Sequence, residues 1–526
     1  MDKKVRILDT TLRDGAQSEG AQFSLSDKLG AVLLLDNLGF DFIEAGTPSS
    51  NPKDAEFFAQ LRARYAGNAQ LVAFGLTRRP GGSCETDAGL AALADAGTAC
   101  VSIVGKCSRF QVESVLRTSA DENLAMIRDT VAFLAKNNKT VFFDAEHFFD
   151  AWAQDADYAA ACLAAAADAG ARQLVLCDTN GGATPDAACA VVQAVVARFP
   201  GVRIGVHFHN DAGLAAANSL AAVRAGARDV QGTFLGIGER CGNTNLSTLI
   251  PTLQLKLGYD VVPPDKLALF TRTAHHLAEL SNMLLPTNLP YIGASAFSHK
   301  GGMHIDGVVK DPRAFEHIDP AAVGNARHLL ISEVAGRSAV AEKLSRLDPS
   351  LAADPRAVDA VLRRLKAYEF DGYSYEAAVA SFELMALREL GRLPEFFTLL
   401  NYKIIGERSI EAGRRSSVAV VKISVGGDSE LRAAEGDGPV HALDISLRSA
   451  LSTFYPRLSK AHLVDYKVRV ITPESATAAK VRVLIDTTDG ETQWTTVGVS
   501  ADIIDASFKA ITDSIVYMLY RDGEKR

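Results

Sequence analysis

The first half of the chain alternates between short apolar segments and longer Ala-rich segments whose apolar residues recur with a helical period. Eight segments rich in Val, Ile and Phe are predicted as strands: residues 5–9, 42–45, 71–75, 100–104, 140–145, 173–177, 203–208 and 230–235. Between them, helices are predicted at residues 26–38, 124–136, 155–169 and 214–225. Apolar strands alternating with amphipathic helices are typical of a parallel sheet. Eight such units in about 250 residues predict a (β/α)8 TIM barrel. A doubly wound sheet is the alternative, but no glycine fingerprint follows the first strand.

Polar residues concentrate where the predicted strands end. They are Arg13 and Asp14 after the first strand, Glu44 in the second, Asp144 and Glu146 at the fifth, residues 178–180 after the sixth, His207 and His209 at the seventh, and residues 236–243 after the eighth. A sheet does not need these side chains for packing, whereas barrel enzymes collect their chemistry at the carboxyl ends of the strands. The pattern therefore predicts an active site at that end of the barrel.

After about residue 257 the pattern changes. A helix is predicted at residues 267–280, polar Pro-, Asn- and Gly-rich segments at 286–290 and 298–307, and mainly helical structure at 332–390. From about residue 397, strands are predicted at 417–425, 468–471, 480–486 and 495–499, and helices at 442–453 and 503–519. Gly-centred turns at 436–439 and 489–490 suggest two related sheet-and-helix units with the turns in similar places. We expect a catalytic barrel at 1–265, mostly helical linker subdomains that complete the active site at 266–395, and an α+β regulatory and dimerisation domain at 396–526.

Composition and net charge limit the kinds of molecule that the protein can be expected to bind. A chain of 526 residues, 48% of them hydrophobic, is long enough for about two to four domains. The net charge of -8, without a long run of Lys or Arg, argues against a nucleic-acid surface. No apolar run reaches the roughly 18 residues of a membrane span, and we expect no signal or transit segment. The 7 scattered cysteines form no Cys-x-x-Cys pair, which predicts a reducing cytoplasm.

Arg13 and Asp14 form the first candidate site. The apolar strand at residues 5–9 runs directly into them, and Gly15 then lets the chain turn. A carboxylate oxygen binds a divalent cation, and a guanidinium beside it stabilises negative charge that develops on a substrate oxygen. An isolated Arg-Asp-Gly is more often a surface turn, so the prediction depends on the other strand ends.

His207 and His209 supply candidate metal ligands. Residues two apart on a strand point to the same face, so both imidazoles are expected at the barrel mouth, with Phe208 turned toward the helices. Together with Asp14 they suit a divalent transition metal that keeps open coordination positions. Asn243 offers an amide oxygen as a further ligand. A lone His-x-His pair is more often incidental, and its place at a strand end favours the metal site.

Two further candidates lie at strand ends. Glu146 follows Phe142 and Phe143, and a carboxylate among aromatic rings suits acid–base chemistry, although a surface ion pair is the alternative. Residues 236–243, Gly-Ile-Gly-Glu-Arg-Cys-Gly-Asn, are either a tight turn or a loop whose backbone N–H groups face an anion or thioester. Their position at the predicted active site favours the second interpretation.

Several motifs together resemble a known family. They are Asp-Thr-Thr-Leu-Arg-Asp-Gly at residues 9–15, the His-x-His strand and Gly-Glu-Arg-x-Gly-Asn at 238–243. The chain is similar over almost its full length to the metal-dependent 2-isopropylmalate, homocitrate and citramalate synthases and to related lyases. Gly-Asp-Gly-Pro and Thr-Val-Gly-Val-Ser resemble the regulatory domain of the synthases. Motifs at residues 142–150, 299–304 and 368–376 resemble the citramalate synthase branch.

The resemblance implies a role for each matching residue. The implied ligands of a divalent metal ion (Mn, Mg or Zn) are Asp14, His207, His209 and Asn243. Arg13 matches the arginine at the keto oxygen, and Thr179 matches the threonine at the keto-acid carboxylate. Glu146 and His304 match groups assigned to proton transfer, and either is the expected base. Asp306 keeps the His-x-Asp spacing seen in the family beside the histidine that matches His304, and is expected to bind substrate. Phe315 stands where many relatives have tyrosine, which removes any role for a phenolic hydroxyl.

The resemblance also implies a reaction and its partners. Acetyl-CoA and pyruvate would give (R)-citramalate and CoA in threonine-independent isoleucine synthesis. The C-terminal domain would bind a branched-chain amino acid effector in a homodimer, with isoleucine expected and leucine as the alternative. A 2-isopropylmalate synthase acting on 2-oxoisovalerate is the first alternative, an acyl-CoA lyase the second, and a non-catalytic sensor the third.

Overall fold

Eight parallel strands close into a barrel in the N-terminal half of the chain. They are β1 (Arg6–Asp9), β2 (Phe42–Gly46), β3 (Gln70–Leu76), β4 (Cys100–Lys106), β5 (Thr140–Glu146), β6 (Gln173–Asp178), β7 (Arg203–Phe208) and β8 (Asp229–Gly232). Each strand pairs with the next, and β8 returns to pair with β1, from Arg6 opposite Asp229 to Asp9 opposite Gly232. The predicted TIM barrel is therefore confirmed.

The computed structural model describes residues 3–330, 336–408, 415–472 and 479–523. Its chain divides into two compact units, one of residues 1–297 and 318–327 and the other of residues 298–317 and 328–526. The first four or so residues of the helical stretch predicted from residue 332 lie outside the described residues. The three functional domains expected from the sequence remain a prediction.

Ten α-helices lie among the described residues of the first unit. They are α1 (Leu25–Asn37), α2 (Pro52–Arg64), α3 (Ala88–Asp95), α4 (Ala120–Lys136), α5 (Phe148–Gln154), α6 (Ala156–Asp168), α7 (Pro185–Arg198), α8 (Ala215–Ala225), α9 (Leu246–Pro251) and α10 (Phe270–Leu280). Local sequence starts several of them: Ser24 and Asp27 form a reciprocal capping box at α1. The helix predicted at 267–280 is shorter than expected, because Pro264–Leu269 forms a 3₁₀ turn before α10.

Alternate residues of the strands form two buried layers. One is a separate cluster of Leu8, Phe42, Val72, Cys100 and Phe142. The other joins the large core that includes the helices, and its strand members include Ile7, Ile43, Ala73, Val101 and Phe143. Because successive side chains on a strand point to opposite faces, the first layer fills the barrel and the second faces the helices. Burial on both faces explains the near-continuous apolar strands in the sequence.

The eighth strand ends earlier than predicted. It stops at Gly232, whereas the apolar pattern continued to residue 235. The N–H of Thr233 donates to the carbonyl of Thr244, and the N–H of Phe234 donates to the hydroxyl of Thr11. These residues therefore form the start of a loop over the barrel mouth, although Phe234 is fully buried.

The second unit begins with short strands and helices. They are β9 (Ser298–His299), α11 (Gly302–Lys310), β10 (His328–Leu329), α12 (Arg337–Leu347), α13 (Pro349–Ala353), α14 (Pro355–Phe370) and α15 (Val379–Glu389). Two sheet-and-helix segments follow: β11 (Thr398–Arg408), β12 (Arg415–Val425), β13 (Asp428–Gly436) and α16 (Pro439–Ser452), then β14 (His462–Val470), β15 (Val481–Thr488), β16 (Gln493–Ser500) and α17 (Ile503–Arg521). Each sheet has three antiparallel strands, which confirms the two related units.

Two details of that prediction are wrong. The Gly-centred turns do not occupy similar places: residues 437–438 join β13 to α16, whereas residues 489–490 lie in the hairpin between β15 and β16. Strands β11 and β13 were not predicted. Most of the side chains of β13 are exposed, so its sequence lacks an apolar pattern, and the strand is defined by its pairing with β12.

The helices of the second unit do not have a core of their own. Ile305 of α11, Leu344 of α12 and Phe382 of α15 share one buried cluster with Val497 and Val499 of β16. This stretch is predicted to be a linker subdomain rather than an independent core, and the shared cluster agrees with that prediction. Among the described residues, no helix combines the length and the apolar character that crossing a membrane requires.

Candidate active site

A tight turn after β1 brings Arg13 and Asp14 to the barrel mouth. The N–H groups of Arg13, Asp14 and Gly15 all donate to the carbonyl oxygen of Thr10, at 3.1, 2.9 and 3.1 Å. Asp9 anchors the turn, because its carboxylate accepts from the N–H and the hydroxyl of Thr11. The side chain of Asp14 is buried by this arrangement.

Arg13 is held by a carboxylate from the neighbouring strand. Its Nε donates to Glu44 Oε2 at 2.6 Å, and its Nη1 lies 3.3 Å from Asp14 Oδ2. The guanidinium also stacks 4.1 Å above the ring of Phe74. Burial alone would lower the pKa of Arg13, but Glu44 and Asp14 raise it, so the side chain is a permanent cation. The sequence singled out Glu44 as a polar residue at a strand end without revealing this contact.

His207, His209 and Asp14 converge on one point. Nε2 of His207 lies 3.4 Å from Asp14 Oδ2, and Nε2 of His209 lies 3.7 Å from the same oxygen. The three residues offer ligand atoms that all lie within 4.8 Å of one another. Phe208, between the two histidines, turns the other way and packs against Phe149 of α5, with ring centroids 5.0 Å apart. The predicted geometry of the His-x-His strand is therefore confirmed.

Electrostatics at this point favour a bound cation. Burial raises the pKa of Asp14, but the charges around it, that of Arg13 first, lower that pKa overall, so the carboxylate is ionised. Burial lowers the pKa of His207 to about 3 and also lowers that of His209, so both rings are neutral at physiological pH. An ionised carboxylate and two neutral imidazoles are the protonation states that a metal requires of its ligands.

Asn243 adds an oxygen to the same region. An isolated antiparallel bridge pairs its backbone with that of His209. The amide nitrogen donates to the carbonyl of Ile237 at 3.3 Å and also contributes to lowering the pKa of Asp14. Its Oδ1 is buried and has no hydrogen-bond partner among the described residues. A buried orphan oxygen fits the fourth ligand of a divalent metal, so the residues present fit such an ion.

Glu146 and Thr179 line the same mouth. The carboxylate of Glu146, at the end of β5, is in ion-pair contact with Lys106 at the end of β4. The hydroxyl oxygen of Thr179 accepts from the N–H of His147 at 2.9 Å. The sequence reasoning missed Lys106, whose position at the end of a predicted barrel strand was the available signal.

The glycine loop after β8 is a tight turn. The N–H groups of Gly236, Gly242 and Asn243 donate to carbonyls within residues 233–239, so the expectation that they face an anion is wrong for these three groups. The loop instead presents Arg240. Its guanidinium donates to both carboxylate oxygens of Asp211 at 2.7 and 2.9 Å and to the carbonyl of Thr179 at 2.8 Å.

His304 and Asp306 belong to the second unit, on α11. The ring of His304 stacks on Phe315 with a centroid separation of 4.1 Å. Asp306 accepts from Lys310 at 2.6 Å and from Ser338 at 2.8 Å. Residues two apart on a helix do not face each other, so the His-x-Asp spacing does not form a His304–Asp306 pair. The aromatic ring at position 315 positions the imidazole by stacking, which needs no phenolic hydroxyl.

A cavity of about 200 Å³ opens where the strand-end residues of the first unit meet. Its walls include Arg13, Asp14, Phe74, Leu76, Val104, Asp144, Glu146, Thr179, His207, His209, Gln231 and Arg240. The residues predicted from the ends of β1, β5, β6 and β7 therefore share one site. The apolar side of this cavity, formed by Phe74, Leu76 and Val104, was not predicted from the sequence.

Comparison with known proteins matches three consecutive segments of the chain. An HMGL-like domain matches residues 4–275, a homocitrate synthase post-HMGL domain-like region matches residues 291–371, and a LeuA allosteric (dimerisation) domain matches residues 376–519. An (R)-citramalate synthase of Aquifex aeolicus is 46% identical, covering 100% of this chain and 99% of that protein. The (R)-citramalate synthase of a Synechocystis species is 46% identical over 98% of this chain and 96% of that protein.

The chain belongs to the (R)-citramalate synthase family. This confirms the resemblance seen in the motifs, which extends over the whole chain. A probable 2-isopropylmalate synthase of Methanopyrus kandleri is 31% identical over 98% of each chain. The citramalate synthases thus form one branch of a larger family of condensing enzymes, and this member is an acyltransferase.

Proposed function

We propose that the chain condenses acetyl-CoA with pyruvate and hydrolyses the thioester, giving (R)-citramalate and CoA for isoleucine synthesis. The observation that carries the proposal is the convergence of two buried imidazoles and the carboxylate of Asp14 beside the fixed cation of Arg13. Full-length similarity to citramalate synthases favours pyruvate as the acceptor.

The proposed metal ligands are Asp14, His207, His209 and Asn243. A divalent ion (Mn, Mg or Zn) bound there would polarise the keto group of pyruvate. Arg13, which Glu44 holds in place, would stabilise the negative charge that develops on the keto oxygen. Thr179 would donate its hydroxyl hydrogen to the pyruvate carboxylate, because the oxygen of that hydroxyl already accepts from the N–H of His147.

The condensation needs one proton acceptor and one water molecule. Glu146 or His304 would remove a proton from the methyl group of acetyl-CoA, and the electron pair released would form the bond to the keto carbon. The keto oxygen becomes a hydroxyl group by taking up a proton. Water then adds to the thioester and breaks the C–S bond, releasing CoA as the thiol and leaving a carboxylate. Lys106 fixes the Glu146 carboxylate for the first of these steps, and we propose that Asp306 supports substrate binding.

The decisive experiment measures thiol release from acetyl-CoA in the presence of a divalent metal. Pyruvate, 2-oxoisovalerate and 2-oxoglutarate are compared as acceptors with the same folded protein. We expect kcat/KM for pyruvate to exceed the others by about a hundredfold or more, which is about 2.7 kcal/mol. Preference for 2-oxoisovalerate would identify a 2-isopropylmalate synthase instead. Absence of thiol release with all three acids would overturn the synthase proposal, and cleavage of citramalyl-CoA would then test a lyase.

We further propose that the second unit binds a branched-chain amino acid effector, isoleucine. The match to a LeuA allosteric domain supports this. So does a cavity of about 450 Å³ in that unit, where the rings of Tyr368, Tyr375 and Phe508 meet the charged ends of Arg364, Lys509 and Asp505. An apolar body with an ammonium and a carboxylate group suits such walls.

Calorimetric titration of the full chain with isoleucine and leucine tests the effector. If the cavity is the site, Arg364→Gln should weaken isoleucine binding by at least about tenfold. Arg363→Gln is the matched control, because this neighbouring arginine on α14 is exposed and does not line the cavity. If the wild type and Arg364→Gln bind isoleucine with equal affinity, the effector binds in another part of the module. If the wild type binds neither amino acid, the regulatory proposal is overturned.

A homodimer is proposed from the same module. Apolar side chains of β13 and β14 are exposed, namely Leu431, Val464, Val468 and Val470. A second copy of the chain would cover them, in keeping with the dimerisation domain of the family match. Light scattering after size exclusion should give twice the mass of the chain, and Val468→Asp should shift it toward monomer. A monomeric wild-type chain would contradict the proposal.

The 7 cysteines are all free, which supports the predicted cytoplasmic location.

A further inference from the structure

A chain of hydrogen bonds crosses the barrel interior beneath the proposed metal ligands. His207 Nδ1 lies 3.1 Å from Gln231 Oε1, and Gln231 Nε2 donates to Asp144 Oδ1 at 2.9 Å. The three side chains come from β7, β8 and β5 and expose 5%, 1% and 2% of their surface. Water therefore does not compete for these contacts, and the three strands fix the positions of the hydrogen-bonded side chains.

The donors and acceptors in this series of hydrogen bonds all point in one direction. An amide group has a donor end and an acceptor end, and the donor end, Nε2 of Gln231, donates to an oxygen of the Asp144 carboxyl group at 2.9 Å. The acceptor end of Gln231 then faces His207 Nδ1, so this ring nitrogen carries the hydrogen. An imidazole that binds a metal carries one ring hydrogen, and with that hydrogen on Nδ1 the lone pair of Nε2 is free for the metal. Nε2 is the nitrogen that lies 3.4 Å from Asp14 Oδ2.

We propose that Gln231 is a positioning residue that presets His207 as a metal ligand. Two acceptors, Nε2 of His207 and Oδ2 of Asp14, are held facing each other, and a cation between them relieves the repulsion. Asp144 acts through Gln231 by fixing which way the amide points. The inference rests on the proposed metal centre and adds to it two residues that do not touch the metal.

His209 lacks an equivalent partner. Its Nδ1 lies 3.1 Å from Nη2 of Arg240, and a guanidinium nitrogen can only donate. The surroundings of His209 therefore do not place a hydrogen on Nδ1. Of the two imidazoles, His207 is the one whose ring hydrogen is already arranged for metal binding.

Gln173 provides a matched control. It is a second glutamine in the barrel, on β6, and is 1% exposed like Gln231. Neither its Nε2 nor its Oε1 has a hydrogen-bond partner among the described residues. Replacing it with leucine removes a buried amide of the same size without touching His207. If loss of any buried glutamine at this depth weakened metal binding, Gln231→Leu and Gln173→Leu would lower the Mn²⁺ affinity equally.

The first test measures Mn²⁺ affinity by calorimetry or by electron paramagnetic resonance on the full chain. We expect Gln231→Leu to weaken Mn²⁺ binding by about 10–100-fold. Gln173→Leu should bind as the wild type does. The metal-free proteins are also labelled with ¹⁵N-histidine, and the His207 signals are assigned by comparison with His207→Gln. Wild-type His207 should carry its hydrogen on Nδ1, and Gln231→Leu should shift it toward Nε2.

A double substitution separates hydrogen bonding from packing and charge. Gln231→Glu combined with Asp144→Asn keeps one carboxyl group and one amide in the pair but exchanges their positions. The carboxyl group at position 231 can accept from His207 Nδ1, and the amide at position 144 can donate to it. We expect the double variant to recover the Nδ1–H form of His207 and most of the Mn²⁺ affinity lost in Gln231→Leu.

The outcomes distinguish the positioning role of Gln231 from the existence of the metal centre. Equal Mn²⁺ affinity and an unchanged ring hydrogen in Gln231→Leu would overturn the positioning role and leave the metal centre standing. Equal losses in Gln231→Leu and Gln173→Leu would also overturn it, since packing alone would explain both. A wild-type chain that binds no divalent ion would overturn the metal centre together with this inference.

Discussion

Gly238 and Gly242 set the position of one proposed metal ligand. A Cβ atom at Gly238 would lie 2.1 Å from Nδ2 of Asn243, and one at Gly242 would lie 2.0 Å from the carbonyl oxygen of Gly236. Gly242 also has a φ of +85°. The loop therefore folds tightly enough to hold the Asn243 amide only if both positions lack a side chain.

Gly238→Ala should displace the Asn243 amide and lower both Mn²⁺ affinity and kcat/KM for pyruvate by about 10–100-fold. The control is Gly182→Ala, where an added methyl group meets nothing within 4 Å. That substitution should change kcat/KM by no more than about twofold, as expected of an open surface position. Wild-type metal binding in Gly238→Ala would contradict a role for Asn243 as a ligand.

Asp144 predicts a pH dependence of stability. Burial, followed by the nearby charge of Glu44, raises the pKa of Asp144 from 3.8 to about 8. A carboxyl group whose folded-state pKa is raised stabilises the protein below its unfolded-state pKa, and this contribution is lost as pH rises through the folded-state pKa. Asp144→Asn cannot ionise, so the free energy of unfolding of the wild type relative to the variant should fall between pH 3.8 and about 8.

Urea unfolding of the metal-free wild type and Asp144→Asn at several pH values across this window measures the difference. Metal is removed with a chelator, because a nearby cation would lower the pKa of the carboxyl group. A constant difference between the two proteins would show that Asp144 does not change its protonation state in this range.

At the level of single residues, the sequence predicted site residues that are close together along the chain and missed the partners that other strands contribute. His207 and His209 are two positions apart and Arg13 is next to Asp14, so spacing alone brought them together. Glu44 and Gln231 support these residues from other strands, and which strand side chains meet depends on barrel closure and register. Such partners follow from the fold and not from any local pattern.

At the level of elements, helices α1 and α2 are joined by a buried ion pair. Nζ of Lys28 lies 2.5 Å from Asp54 Oδ1, and both side chains are largely buried. Ser50 donates to the other carboxylate oxygen at 2.6 Å. Asp54 is therefore ionised, and burial, which would raise its pKa, is outweighed by Lys28 and Ser50, which lower it. The pair holds the two helices after β1 and β2 against each other.

Asp54→Ala should destabilise the protein by about 3–5 kcal/mol, because Lys28 would remain buried without its partner. The double variant Lys28→Met with Asp54→Leu should recover most of that loss, since no charge is then buried. Asp157→Asn, at an exposed ion pair with Arg198, is the control and should cost less than about 1 kcal/mol. Chemical unfolding measures all three, and a double variant as unstable as Asp54→Ala would contradict the explanation.

The hydrophobic pattern predicted the barrel strands well because they are buried on both faces. Strands β1 to β7 differ from their predicted bounds by two residues or fewer at either end. The pattern failed where strands are defined by pairing: β13 carries mostly exposed side chains, and β11 pairs with β12 along its whole length. Periodicity reports burial, so it does not detect an element that exposes most of its residues.

At the level of the whole molecule, the second unit combines two proposed tasks. Its helix α11 carries His304, which is a candidate base, and its two sheets carry the proposed effector and dimer surfaces. Ile305, the neighbour of His304, lies in the same buried cluster as Val497 and Val499 of β16. The helix and the sheet therefore depend on one set of packing contacts.

This shared cluster has a consequence for how the second unit opens. Groups that pack in one core tend to unfold locally as one cooperative unit. We expect the amide hydrogens of residues 302–310 and 493–500 to exchange with deuterium at the same limiting rate, and isoleucine to slow both together. Mass spectrometry of the full chain with and without isoleucine measures this. If isoleucine protects only the sheet, the effector module and helix α11 open independently. If it protects both, the free energy of effector binding also stabilises the helix that carries His304.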